Sequence, residues 1–250
     1  MIDEVHVSVA FTYDMEKAKQ LGESWAKTGL PVKLSGPAKN EKGGYFIPGR
    51  YLRKGYVITS RGCPNKGCWF CSVPKREGDL RELPITDGYN VLDDNLLACS
   101  DEHIKAVFDI LKRQSEKPIF TGGLEANLLK PWHVELLREV KAKRMFFAYD
   151  TPDDYEPLVH AGKMLRDGGI TKPSQTARCY VLVGYMGDTI EKAEKRLRDA
   201  WSAGFLPFAM LYRNEKGDLN HEWSRFQRQW VRPQIIARLL KCEPSIVQSC

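Results

Sequence analysis

The chain has no apolar run approaching the roughly 18 residues that a membrane span requires. It opens Met1-Ile2-Asp3-Glu4, without an apolar signal region. The expected location is therefore the cytoplasm, where thiols stay reduced and disulfides are rare. Of its seven cysteines only three are close neighbours, which argues against a disulfide scaffold. No second close cysteine pair follows those three, so the four-donor pattern of a structural zinc site is incomplete. Cys99 and His103 complete it only if the fold happens to bring them there. Acidic charge is the scarcer sign: 38 Lys and Arg face 32 Asp and Glu, a net charge of +6. That excess suits an anionic partner such as nucleic acid, and equally describes an ordinary basic cytosolic protein.

What is present starts from size. At 250 residues and 42% hydrophobic content, the chain can bury one large core, or one core plus a small appendage. The most informative run is Ser60-Arg61-Gly62-Cys63-Pro64-Asn65-Lys66-Gly67-Cys68-Trp69-Phe70-Cys71-Ser72, directly after the strand-like Tyr56-Val57-Ile58-Thr59. Three thiolates on one loop can hold three irons of a [4Fe-4S] cube and leave the fourth open, because each iron needs one external ligand. An open iron is a place for chemistry, whereas a fourth cysteine makes an electron-transfer centre. Cys68-x-x-Cys71 is also a zinc-knuckle spacing. A zinc-stabilised, non-catalytic nucleic-acid-binding module is therefore the alternative from another class.

The cysteine run resembles the cluster loop of the radical S-adenosylmethionine superfamily, with an aromatic residue, Phe70, before the last cysteine. The superfamily's usual spacing is three residues then two. This chain has four then two, with Gly67 as the inserted residue. The flanking words, 59–64 and 71–74, most resemble the methylthiotransferase and cobalamin-dependent branches. The resemblance covers roughly residues 56–213. It implies a [4Fe-4S] cluster on Cys63, Cys68 and Cys71, S-adenosylmethionine as cofactor, and a reductant such as flavodoxin or ferredoxin. The implied activity is reductive cleavage to a 5′-deoxyadenosyl radical that abstracts hydrogen from a substrate, with nucleic acid one candidate. Methylthiotransferase-like modification of tRNA or protein is the alternative within the superfamily. The cysteine-bearing N-terminal domain and the C-terminal RNA-binding barrel of those enzymes have no counterpart here.

Strand and helix patterns alternate through the middle of the chain. Strands are expected over 56–59, 90–94, 118–121, 144–149, 179–184 and 207–212, with helices between them. Ser100 is placed to cap a helix over 101–113, Pro131 to open one through 140, and Thr151-Pro152 and Asp188-Thr189 to start two more. Such alternation means a parallel sheet with helical crossovers. Six units fall short of the eight of a closed barrel. The resemblance implies an α/β partial (β/α)6 barrel over 51–215.

In parallel α/β sheets ligands gather beyond the carboxyl ends of the strands. After the first strand come the cysteines, and after the second Asp93, Asp94 and Asn95. Gly122, Gly123 and Glu125 follow the third, Asp150 the fourth, Gly184 the fifth, and Arg213 the sixth. Two ends compete for one role. In the superfamily a glycine-glycine-glutamate word holds the methionyl amino group, which Gly122-Gly123-Leu124-Glu125 resembles, although it falls after the third strand. Cobalamin-dependent relatives carry paired acids after the second strand, which Asp93-Asp94-Asn95 resembles. The favoured holder is the Asp93 to Asn95 segment, with Gly122 and Gly123 allowing close backbone approach. Asp150 could bond a ribose hydroxyl or simply shape the turn before Thr151-Pro152.

Residues 1–50 read as one strand-helix-strand appendage. It resembles the last unit of a cobalamin-binding domain but lacks the Asp-x-His-x-x-Gly word, so cobalamin is not expected. A linker is expected over 39–53. Residues 216–250 read as a helical tail. Over 222–241 arginines interleave with Trp223, Phe226 and Trp230. That pattern suits nucleic-acid stacking but is better read as an amphipathic helix covering the open side of the sheet. Cys99, Cys179, Cys242 and Cys250 are scattered, and an auxiliary cluster from them is not expected.

Overall fold

The computed structural model describes residues 2–39, 52–170, 174–214 and 216–241. Most of the linker expected over 39–53, together with Cys242 and Cys250, lies outside the described residues.

The N-terminal segment forms β1 (Val5–Ser8), α1 (Met15–Ala26) and β2 (Val32–Ser35). The two strands pair in parallel, Val5 opposite Val32 through Ser8 opposite Ser35. Val7, Val9 and Ala18 make a small core there, separate from the main one. Further along the chain come β3 (Tyr56–Val57), β4 (Ser60–Arg61), the short helix α2 (Val73–Arg76), β5 (Arg81–Glu82) and β6 (Asn90–Val91). They are followed by α3 (Asp101–Lys112), β7 (Ile119–Phe120), α4 (Pro131–Glu139), β8 (Arg144–Ala148) and α5 (Tyr155–Asp167). The series closes with β9 (Ala177–Val183), α6 (Ile190–Ser202), β10 (Leu206–Leu211), α7 (His221–Gln229) and α8 (Pro233–Lys241).

Six strands form one parallel sheet in chain order, β3-β6-β7-β8-β9-β10. All six expected strands are in it, several shorter than their sequence pattern. Consecutive parallel neighbours joined by helices follow from crossovers of one hand, which lay the connecting helices on one face. β9 displays the consequence. Ala177, Cys179, Val181 and Val183 are buried, while Arg178, Tyr180 and Leu182 on the other face are only half-buried. The buried row packs with Leu158, Ala161, Leu165, Ala193, Leu197 and Ala200 of α5 and α6. Each such large side chain contributes about 1.5–3 kcal/mol.

The expected caps are in place: Ser100 accepts from the His103 amide at 3.2 Å and Thr189 from the Lys192 amide at 3.3 Å. The first crossover differs from expectation. Between β3 and β6 lies no long helix, only α2 and the antiparallel β4–β5 pair, because that stretch is spent on the cysteine loop. The expected tail helix is also broken in two, α8 restarting at Pro233, which lacks the amide needed to continue α7. The tail packs along the β10 edge rather than over the open side of the sheet. Phe226 and Trp230 join the main core, the Ala209 amide donates to the Trp230 carbonyl at 3.1 Å, and Gln227 donates to the Ala209 carbonyl at 3.3 Å. Edge strand β10 is thereby covered rather than left to pair with another chain. No helix of the described residues is long and apolar enough to cross a membrane.

Candidate functional site

The cysteine run lies in the loop between β4 and β5. Ser60 opposite Glu82 and Arg61 opposite Arg81 close its base. From below, the two acids after β6 hold the loop's entry. Asp93, 1% exposed, accepts from the Thr59 amide (2.6 Å), the Thr59 hydroxyl (2.5 Å) and the Ser60 hydroxyl (2.7 Å). Burial raises its pKa, and the bonds from Thr59 and Ser60 work against that. Asp94 accepts from the Gly62 amide at 2.9 Å and from Arg61 at 3.1 Å, while Arg61 also reaches the Leu92 carbonyl at 3.1 Å. Gly62 itself has φ +88°, and a Cβ there would lie 2.2 Å from the Asp79 carbonyl oxygen. Only glycine fits at that turn.

The ends that competed for one role in the sequence meet in space. Asn95 donates its side-chain amide to Glu125 Oε2 at 2.5 Å and to Cys63 Sγ at 3.5 Å. Its Oδ1 is buried and has no partner. Asp93 and Asp94 instead spend their oxygens on the loop, which differs from the amino-group role expected of the whole segment. Gly122 is the reason β6 and β7 can finish so close together. A Cβ on it would sit 2.0 Å from the Asp93 carbonyl oxygen. Gly123 has φ +111° and open space beside it.

On the other side, Asp150 after β8 accepts from the Leu182 amide at 2.7 Å. Burial pushes its pKa up to about 6, with the Leu182 bond opposing and the Asp154 charge adding. This bond makes it a brace between β8 and β9. Gly184, at φ +78°, donates its amide to Asp188 at 2.9 Å and leaves room for the Trp223 ring, 2.9 Å from where a Cβ would be. Asp188 is clamped by Arg196, which also donates to the Leu182 carbonyl.

The three thiols are half-buried. Burial pushes Cys68 up to about 11, with further contributions from Cys71, Cys63, Asp154 and Asp150. Burial likewise raises Cys71, opposed by a bond from the Val73 amide. A cationic centre is what would turn such thiols into thiolates. Among the described residues no three His, Cys, Asp or Glu side chains gather closely enough to hold one ion. Zinc needs its donors around one point, whereas a cube takes its thiolates on separate irons. The cysteine loop offers three half-buried thiols to either centre. Cys99 and Cys179 are buried in the main core instead.

Phe70 meets Trp69 edge-on at 5.4 Å, and Trp69 touches Tyr185 at 5.3 Å and Tyr212 at 6.1 Å. The loop therefore reaches across the carboxyl ends of β9 and β10. Sequence reasoning passed over Arg61, Gly62, Asp154 and Tyr212 as site residues, while Tyr185 was read only as following the fifth strand. Gly62 was legible from its place beside Cys63; the others depend on which strand ends become neighbours.

No family model and no curated protein matches this sequence. Among solved structures the chain is similar to a radical S-adenosylmethionine methyltransferase, TsrM, from Kitasatospora setae, with cobalamin and a [4Fe-4S] cluster bound. The identity is 15% and the TM-score 0.46, over 63% of this chain and 36% of that one. The present chain thus spans about a third of that protein's length.

Proposed function

We propose that this chain is a radical S-adenosylmethionine enzyme, with Cys63, Cys68 and Cys71 holding a [4Fe-4S] cluster. The observation that carries the reading is a single loop bearing three separate thiols across the carboxyl ends of a parallel sheet, braced by Asp93 and Asp94. The six-stranded sheet is then a partial (β/α)6 barrel over 51–215, with 1–50 as appendage and 216–250 as helical tail. When bound, the cluster and S-adenosylmethionine supply one-electron cleavage of a carbon–sulfur bond, giving a 5′-deoxyadenosyl radical that abstracts hydrogen from a substrate.

The chain's own residues do the holding. Each cysteine gives up a proton to become a ligand. Glu125 and the unpartnered Asn95 Oδ1 offer acceptors for an ammonium group beside Cys63. Phe70 lends the loop an apolar, half-buried side, Trp69 ties it to Tyr185 and Tyr212, and Gly123 leaves room for a close backbone approach. The electron comes from a reductant such as flavodoxin or ferredoxin, and the cytoplasm suits such a centre.

Anaerobic reconstitution with iron and sulfide tests this. The expected product is brown, its visible absorption bleached by dithionite, and it releases 5′-deoxyadenosine from S-adenosylmethionine. Cys63→Ala, Cys68→Ala and Cys71→Ala should each lose cluster and cleavage. A colourless protein that retains one zinc per chain would overturn the reading and favour the binding module.

A further inference from the structure

The sheet face away from the helices is lined unlike the core. On it Phe146 stacks on Tyr180, with centroids 4.3 Å apart and planes 9° apart, and Phe208 meets both edge-on. Phe146 is buried yet stands outside the helix-side core. The strand register makes these rings neighbours, with Phe146 opposite Arg178 and Tyr180 opposite Phe208.

Beside the rings lie two cations without an acid. The Arg178 guanidinium sits 5.7 Å over the Phe146 ring and spends one donor on the Gln175 carbonyl at 3.3 Å. Burial and the nearby charge of Arg144 both weaken its hold on its proton. Among the described residues no carboxylate pairs with either arginine. Arg178 is half-buried and Arg144, two residues from Phe146 on the same face, is exposed; an anion shared by the two offsets the lost hydration of Arg178. The guanidinium forks suit a phosphate or carboxylate, and the ring wall suits a planar or apolar body.

We propose that this face binds a ligand joining an anionic group to a planar ring, the anion on Arg144 and Arg178 and the ring along the half-buried Tyr180 and Phe208, with Phe146 backing Tyr180. From Arg178 to the carboxyl end of β9 is about 17 Å at strand rise, so the ligand's free end points along the sheet toward the cysteine loop. That it is the substrate of the radical reaction rests on the function proposed above. The binding itself does not.

The probe is 8-anilinonaphthalene-1-sulfonate, a fluorescent anion on planar rings, titrated into metal-free protein. Expected is saturable binding at one site per chain, weakened at least tenfold in Arg178→Gln and less in Arg144→Gln. Arg178→Lys should recover part of the loss, and Tyr180→Ala should weaken binding through the rings. Competition by adenosine monophosphate against 3-phenylpropanoate tells phosphate from carboxylate as the natural anion. Circular dichroism checks each variant's fold, and Arg178→Lys carries the test if Gln does not fold. Unchanged affinity in the Arg144→Gln, Arg178→Gln double variant, or no saturable binding by the wild type, overturns the proposal. Cys68→Ala should bind the probe normally while failing to hold iron, so loss of one reading leaves the other standing.

Discussion

Gly122 presses its Cα against the main chain of Asp93: a methyl group at 122 would lie 2.0 Å from the Asp93 carbonyl oxygen and 2.7 Å from its amide nitrogen. The contact fixes the separation of two strand ends, and through Asp93 it fixes the entry to the cysteine loop. Backbone cannot swing aside as a flexible side chain can. Gly122→Ala should therefore cost about 1–3 kcal/mol, the usual penalty of overpacking, measured as a lower denaturant midpoint. It should also lower the iron taken up on reconstitution.

Asp93 holds three donors in a place water does not reach. Removing the carboxylate strands the Thr59 amide and two hydroxyls. Asp93→Ala should destabilise by about 2–4 kcal/mol, read from urea unfolding. Asp93→Asn keeps one acceptor and should fall between the two. Equal stability of Ala and wild type would mean the brace carries no load.

Asp150 sets a pH dependence. Its folded pKa, about 6, lies above the ordinary 3.8 because burial and Asp154 disfavour the anion. The folded state thus favours the protonated form. The stability contributed is full below pH 4 and is lost as pH rises through 6, about 1–3 kcal/mol in all. Metal-free wild type should melt lower at pH 8 than its other groups alone would dictate. Asp150→Asn keeps the acceptor for the Leu182 amide and should flatten that slope, which paired melts at pH 5 and pH 8 will show.

Trp230 is 1% exposed and its carbonyl covers the β10 edge. Trp230→Ala should cost about 3–5 kcal/mol. It should also promote association, because an uncovered edge strand is a template for pairing. Calorimetry and light scattering read the two effects separately.

The parallel sheet and its helix caps were readable in the chain because each rests on local pattern. Periodicity marks the strands, and Ser100 and Thr189 need only neighbours three residues away. The broken tail was harder, since the Arg-aromatic pattern runs through 222–241 while the break at Pro233 takes one residue. The pairing of Asn95 with Glu125 was not readable. Each looked like a candidate for the same task, and nothing local says that strand ends 30 residues apart converge.

Three cysteines in nine residues made iron–sulfur chemistry the leading expectation before any coordinates, because ligand count and spacing are properties of a short loop. Which acids brace that loop, which face it, and which face of the sheet stays open came from folding alone. Those depend on the register between strands far apart in the chain, where a single glycine such as Gly122 sets how near two backbones can come.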